Sequence, residues 1–293
     1  MRTEEITAEI TGRRLRRPGE VAELAKARRR PASPLGRGLI VAADHPARGS
    51  LAAGTDPMAM ADRGELLRRL REVLAHPGVA GVLGTADVLE DLLLLGALDD
   101  RSVFGSMNRG GLAGAAFELD DRFTGYTAAA LGRFGFDGGK MLLRVDLADD
   151  RTAGTLESCA RAVSELADHG LVAMVEPFLS HRVDGRLRND LSVAAATKAI
   201  TIASGLGHTS AYTWLKVPVI GDSGEDMARV LSATTLPTLL LGGEVSADAD
   251  ATYARWEKAL AHPTVRGLVV GRSLLYPPDG DYLKAVDTAA GLL

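Results

Sequence analysis

Short apolar runs alternate with longer amphipathic segments along most of the chain. Eight of these runs have the length and composition of buried strands. The segments between them repeat apolar residues at the three- and four-residue spacing of helices that pack on a sheet. Strands that alternate with helices pair in parallel through right-handed crossovers. The predicted strands comprise residues 38–43, 81–84, 102–105, 141–145, 172–176, 211–219, 238–241 and 267–270.

Eight strand–helix units in 293 residues predict an α/β protein built as a single (β/α)8 TIM barrel. A doubly wound open sheet is the structural alternative, but it more naturally has fewer strands, and no dinucleotide-binding glycine motif follows the first strand. Residues 1–34 are predicted to form an N-terminal helical extension, with a break at Pro18-Gly19 and a proline-rich end. Residues 35–293 are predicted to form the barrel.

Composition narrows the classes of function. The apolar fraction of 46% suits a large core, and no apolar run has the length of a membrane-spanning helix. A net charge of −4 argues against nucleic acid as the main partner. The single cysteine, Cys159, fits a reducing compartment, and the charged N-terminus lacks the apolar core of a signal peptide. We therefore expect a cytoplasmic protein with no membrane partner.

One lysine lies inside a predicted strand, in the sequence Thr213-Trp214-Leu215-Lys216-Val217. Because side chains alternate along a strand, Lys216 points the same way as Trp214. An inward-facing lysine in a closed barrel loses hydration, and its pKa falls. The resulting neutral amine attacks carbonyl groups and forms a Schiff base. An isolated lysine at a strand end is more often a surface residue, so the rest of the chain must support this interpretation.

Barrel enzymes carry their chemistry at the carboxyl ends of the strands. Glu176 ends the fifth predicted strand, where it either holds a loop or acts as an acid–base neighbour of the lysine. Asp44 follows the first strand, where it either orients His45 and caps a turn or joins the same chemistry. Lys140 begins the fourth strand. No second histidine lies at ligand spacing from His45, so we expect no metal. The remaining polar strand-end residues are Asn108, Arg109, Arg144 and Asp146.

Glycines follow both of the last two strands. Gly242-Gly243 comes after the seventh, and Gly271-Arg272 comes after the eighth. Turns commonly need glycine, so one such pair is weak evidence. The loops after the seventh and eighth strands are, however, the recurrent phosphate site of this fold, and glycine lets backbone N–H groups approach an oxyanion. These two loops are therefore predicted to bind phosphate, with Arg272 adding a charged contact.

Together these strand ends resemble the class I, Schiff-base aldolases of the (β/α)8 superfamily. Both the archaeal-type fructose-bisphosphate aldolases and the bacterial tagatose-bisphosphate aldolases are similar, over Gly38 to Leu275. The chain also looks like an actinobacterial group of barrel proteins found among inositol-catabolism genes. The pieces that carry the resemblance are residues 38–44 with 48–50, 140–143, 175–177, 214–217, 241–243 and 270–272.

The resemblance implies a cofactor-free aldol cleavage of a phosphorylated keto-sugar or keto-sugar acid. Lys216 would be the nucleophile, Glu176 and Asp44 would move protons, and Lys140 would keep Lys216 neutral by like-charge repulsion. The substrate would be 5-dehydro-2-deoxy-phosphogluconate, with ketohexose bisphosphates and deoxyribose phosphate left open. We also expect a homo-oligomer.

The sequence departs from these families at the end of the fourth strand. Arg144 stands where they often carry a proton-donating tyrosine. Tyr126, Glu176 or a water could replace that donor, and Arg144 could instead bind a substrate carboxylate. A sugar-phosphate isomerase or epimerase, or a non-catalytic sugar-phosphate-binding barrel, remains the alternative function.

Overall fold

The computed structural model describes residues 2–32, 36–108 and 111–293. Within them, eight parallel strands form a closed barrel, because β4 pairs with β5 and thereby joins the two ends of the sheet. The predicted (β/α)8 barrel is therefore confirmed. The sixth barrel strand is β7, since the short β6 pairs only with the end of β5. The strands are β1 Gly38–Ala42, β2 Val79–Gly84, β3 Ser102–Ser106, β4 Gly138–Val145, β5 Val172–Val183, β6 Arg186–Asn189, β7 Thr213–Pro218, β8 Thr238–Leu241 and β9 Val265–Val270.

Helices surround the barrel at the positions that the apolar spacing predicts. Most begin at a side-chain cap; Asp62, for example, accepts a hydrogen bond from the backbone of Glu65 at the start of α3. A 3-10 turn, Pro46–Arg48, follows β1. The helices are α1 Thr3–Arg16, α2 Glu20–Ala27, α3 Arg63–Leu74, α4 Ala86–Leu94, α5 Ala128–Phe134, α6 Arg151–Asp168, α7 Val193–Ser204, α8 Gly224–Leu231, α9 Ala249–Leu260, α10 Arg272–Leu275 and α11 Tyr282–Gly291.

Two buried layers make up the core. Alternate strand residues face the helices and form the larger layer, to which Leu215 and Val217 belong. The other strand residues fill the barrel interior, and Trp214 packs there beside Met174 and Leu239. Lys216 has the same parity as Trp214 and is buried. The apolar interior thus lies beneath the lysine, which places the polar groups at the carboxyl end of the barrel.

A β-hairpin rises from the mouth of the barrel. The strand β5 runs on past the predicted end at Glu176, and β6 pairs antiparallel with its last four residues. The turn consists of Asp184 and Gly185, both with positive φ, as in the two-residue turns that favour Asp-Gly. This dipeptide was the available sequence signal for a hairpin that the strand pattern missed.

The N-terminal helices pack against the barrel's amino end. Ile6 and Ile10 of α1 are buried, and α1 contacts α3. Arg28 is buried and donates to the carbonyl oxygens of Leu98, Arg101 and Gly135. These contacts tie the segment to the loops that precede β3 and β4. The predicted boundary between residues 34 and 35 lies outside the described residues, as does Arg109.

Candidate active site

Four charged side chains from four strands meet inside the barrel mouth. Nζ of Lys216 lies 3.1 Å from Oε1 of Glu176. Nζ of Lys140 lies 2.5 Å from Oε2 of the same carboxylate and 3.1 Å from Oδ2 of Asp44. All four side chains are buried. The structure therefore brings together the four residues for which catalytic roles were predicted from the sequence.

Strand register explains this meeting. Leu142 of β4 pairs with Glu176, whereas Lys140 pairs with Met174, one inward-facing layer deeper. The long side chain of Lys140 rises from that layer to reach the carboxylates. The strand β4 also begins earlier than predicted, at Gly138 instead of Met141, so Lys140 is its third residue. Lys140 therefore starts from a deeper position than Glu176 and still contacts the site directly.

Burial and neighbouring charges set the protonation of the pair. Burial lowers the pKa of Lys216; Glu176 opposes this shift, and Lys140 adds to it by like-charge repulsion. For Glu176, burial alone would raise the pKa, but Lys140 and Lys216 outweigh it and hold the pKa below its ordinary value. The pKa of the amine is therefore lowered, while the carboxylate beside it is kept ionised.

Asp44 is held at the end of β1 by more than one donor. Besides Lys140, the hydroxyl of Ser106 donates to its Oδ2 at 3.2 Å. The other carboxylate oxygen, Oδ1, faces Nδ1 of His45 at 3.6 Å. Asp44 therefore connects the buried lysines to the loop after β1.

The glycine loops after β8 and β9 lie side by side. Gly243 has a φ of +69°, which a β-branched residue would not adopt without strain. A side chain at Gly271 would meet the carbonyl oxygen of Ala42, so this glycine allows a close backbone approach. Nε of Arg272 and Oγ of Ser273 are buried and have no hydrogen-bond partner among the described residues. Unpartnered donors beside the open backbone of Gly243 suit an oxyanion, and phosphate binding at these loops stays a prediction.

Arg144 is already engaged by the loop that follows β3. Its guanidinium pairs with the carboxylate of Glu118, donates to the carbonyl oxygen of Glu118 at 2.8 Å and lies 3.8 Å from Asp121. The side chain is 9% exposed, and burial together with Arg48 lowers its pKa. Substrate binding by Arg144 thus stays a prediction. To bind a substrate carboxylate, Arg144 would have to release the carboxylate of Glu118.

Tyr126 is not available as the missing proton donor. Its ring packs edge-on against Phe134 and Phe136, and a side chain at the outward-facing Gly105 would meet it. The hydroxyl is therefore buried between the strands and the helices, outside the barrel interior. The sequence could not reveal this, since residues 107–127 have no periodicity from which a direction follows.

The candidate site has no arrangement that suggests a metal ion. Among the described residues, no cluster of three or more His, Cys, Asp and Glu side chains could hold one. The expectation of a metal-free and cofactor-free site stays a prediction.

No helix in the described ranges combines the length and apolar character needed to cross a membrane.

The barrel and the placement of its polar strand ends define the class of fold. A solved archaeal fructose-1,6-bisphosphate aldolase, with its catalytic lysine bound to the carbinolamine intermediate, has a TM-score of 0.66 at 16% identity. The match covers 93% of this chain and 98% of that chain. The fructose-bisphosphate aldolase from Slackia heliotrinireducens has a TM-score of 0.63 at 15% identity, covering 88% and 85%. The fold is that of the Schiff-base class I aldolase barrels.

Within that fold class, the chain belongs to the Cgl0159-like family, whose model matches residues 36–290. The crystal structure of Cgl0159 from Corynebacterium glutamicum is 52% identical, with a TM-score of 0.94. That match covers 98% of this chain and 96% of that chain. No curated protein matches the chain.

Proposed function

We propose that the protein is a class I aldolase that cleaves a phosphorylated keto-sugar or keto-sugar acid through a Schiff base on Lys216. The observation that carries this proposal is the buried amine of Lys216, 3.1 Å from Glu176. A lysine in this position can be unprotonated at neutral pH and has a carboxylate beside it for proton transfer. The shared fold of the archaeal aldolase, whose catalytic lysine is bound to a carbinolamine, supports it.

The first half of the reaction builds the imine. The amine of Lys216 attacks the ketone carbon, and the carbonyl oxygen becomes the hydroxyl of a carbinolamine. Glu176 accepts a proton from the nitrogen and returns one to the departing hydroxyl, which leaves as water. Lys140 is tied to Glu176 and Asp44, and its charge opposes protonation of Lys216.

The second half breaks the carbon–carbon bond. Loss of the proton from the substrate hydroxyl creates the aldehyde product, and the bonding electron pair moves into the iminium to form an enamine. Protonation of the enamine carbon and hydrolysis then release the ketone and restore Lys216. The loops containing Gly243 and Gly271 would hold the phosphate during these steps, since the space beside Gly243 is open and Arg272 follows Gly271.

The proposed substrate is 5-dehydro-2-deoxy-phosphogluconate, which has a phosphate near its ketone and a carboxylate at its far end. The phosphate suits the loops after β8 and β9, next to the lysine strand β7. The carboxylate suits the opposite side of the mouth, where Arg144 is the penultimate residue of β4. Ketohexose bisphosphates and deoxyribose phosphate are the comparison substrates.

Borohydride trapping tests the mechanism. The protein is incubated with each of these sugar phosphates, with dihydroxyacetone phosphate and with borohydride, and the adduct is located by mass spectrometry of peptides. We expect the adduct on Lys216 and its loss in Lys216→Arg, whose guanidinium stays protonated. Lys198→Arg, on the exposed face of α7, is the matched control. An adduct on Lys140 would reverse the roles of the two lysines.

Trapping, together with hydrogen exchange of the same compounds in deuterated water, separates the alternative functions. A non-catalytic barrel would bind sugar phosphate without forming a reducible adduct. An isomerase or epimerase would exchange substrate hydrogen with solvent without cleaving the chain. Cleavage of a keto-phosphate with no labelled lysine would refute the Schiff base.

A further inference from the structure

The loop after β1 places a histidine at the edge of the charged cluster. Nδ1 of His45 is buried, faces Oδ1 of Asp44 at 3.6 Å and has no hydrogen-bond partner among the described residues. Its side chain is nevertheless 25% exposed. The exposure therefore belongs to other ring atoms, so one side of the imidazole faces the carboxylate and another faces the mouth.

The backbone of His45 is firmly placed. Its carbonyl oxygen accepts from the backbone N–H groups of Arg48 and Ser50, at 3.0 and 3.3 Å. The ring packs against Gly271, where an added side chain would meet Cε1 of the imidazole at 3.3 Å. Because Gly271 begins the predicted phosphate loop, His45 lies between that loop and the reactive cluster.

A continuous series of ionisable groups links the nucleophile to this histidine. Lys216 contacts Glu176, Glu176 contacts Lys140, and Lys140 contacts Asp44, each within 3.1 Å. The series ends at His45, the member of the series with the most exposed side chain. Its neighbour Asp44 would favour a proton on Nδ1, which leaves Nε2 as an acceptor on the side of the mouth.

We propose that His45 is the acid–base residue of carbon–carbon bond cleavage, an inference that rests on the proposed aldolase function. Nε2 accepts the proton of the substrate hydroxyl as the carbon–carbon bond breaks and the electron pair enters the iminium on Lys216. The imidazolium then returns this proton to the enamine carbon. Every proton removed is restored, and no oxidant or further reactant is required.

Other candidates for this role are less suitable. Each oxygen of Glu176 lies against the side-chain nitrogen of a lysine. Oδ2 of Asp44 already accepts from Lys140 and from Ser106. Tyr126 lies outside the barrel interior. A histidine, by contrast, can both accept and donate within one catalytic cycle.

The charges around the imidazole make the pKa of His45 depend on whether a phosphorylated substrate is bound. Burial lowers the pKa of His45 to about 4; Asp44 opposes this shift, and Arg272, Lys216 and Lys140 add to it. The free site therefore holds a neutral ring. A substrate phosphate beside Arg272 would offset that positive charge and raise the pKa towards neutrality, where an acid–base group is most effective.

The test uses the variant His45→Gln and the keto-phosphate that the wild-type protein cleaves fastest among those named above. We expect kcat to fall by on the order of 10²–10⁴-fold, while the borohydride adduct on Lys216 still forms. In His45→Ala, added imidazole should restore part of the rate, with a pH dependence that follows the added base. His208→Gln, an exposed histidine that precedes β7, is the matched control, and thermal unfolding checks that each variant is folded.

Each outcome has a defined meaning. A His45→Gln rate within threefold of wild type overturns the proposal. Loss of the adduct in parallel with the rate also overturns it, because His45 would then act before cleavage. A folded, slow His45→Ala that imidazole does not rescue indicates a positioning role instead. If the wild-type protein forms no adduct and cleaves none of the compounds, the aldolase function itself fails.

Discussion

Lys140 and Lys216 share one carboxylate, with Nζ of Lys140 2.5 Å from Oε2 of Glu176 and Nζ of Lys216 3.1 Å from Oε1. The carboxylate lies between the two lysine side chains and links the charge of Lys140 to the protonation of Lys216. If Lys140 loses its charge, the attraction between Glu176 and Lys216 is left without the repulsion that opposes it. The protonation of the nucleophile therefore depends on a lysine that need not react.

Replacing Lys140 with methionine should move the pH dependence of imine formation to higher pH. Burial and Lys140 both lower the pKa of Lys216, whereas Glu176 raises it. Removing Lys140 therefore raises this pKa, so a smaller fraction of the amine is unprotonated at pH 7. The measurement is the rate of borohydride-trapped adduct between pH 5 and 10. Lys198→Met is the control, and a profile identical to wild type would exclude this electrostatic role.

Glu176→Gln should slow cleavage while still allowing some adduct on Lys216. Glutamine keeps the size of the side chain but cannot carry the proton of carbinolamine dehydration, and removing a general acid–base group costs on the order of 10²–10⁴-fold in rate. Single-turnover kinetics with a cleaved keto-phosphate measures the loss. A wild-type rate in this variant would place the proton transfer on another group.

The alternation of side chains along β7 was enough to predict which way Lys216 faces, and the order of the strands was enough to predict the barrel. The beginning of β4 was not predictable in this way. Gly138 and Gly139 carry no side chains that mark a strand, and they join one only because they pair with Phe104, Gly105, Val172 and Ala173. Side chains alternate between the two faces only within a strand, and β1 ends at Ala42. The direction of the His45 ring could therefore be learned only from the structure.

Gly243→Val should raise KM for phosphorylated substrates, with only a small loss of folding stability. No atom lies within 4 Å of a Cβ built at Gly243, so the strain comes from its φ of +69° and would turn the loop's backbone away from a bound phosphate. Gly280 is a matched control, with a φ of +78° and equally open surroundings in a turn before α11. Equal KM values for wild type and Gly243→Val would remove this loop from the phosphate site.

Arg144→Met should destabilise the protein by about 3–5 kcal/mol, the usual effect of leaving one member of a buried ion pair without its partner. The double variant Arg144→Met, Glu118→Met should recover part of this loss, which urea unfolding of all four proteins measures as a coupling energy. The substrate role has a separate readout. If the double variant cleaves 5-dehydro-2-deoxy-phosphogluconate as well as wild type does, Arg144 does not bind the substrate carboxylate.

The pairing of two lysines with two carboxylates has a consequence for the covalent intermediate. With Lys216 in its neutral, nucleophilic form, Asp44, Glu176 and Lys140 leave the cluster with one excess negative charge. An iminium on Lys216 is a permanent cation, and its formation brings the four groups to electrical balance. The negative charge that balances the iminium is therefore already in position before the substrate binds. The barrel interior would stabilise the cationic iminium on Lys216 more than it stabilises the neutral amine.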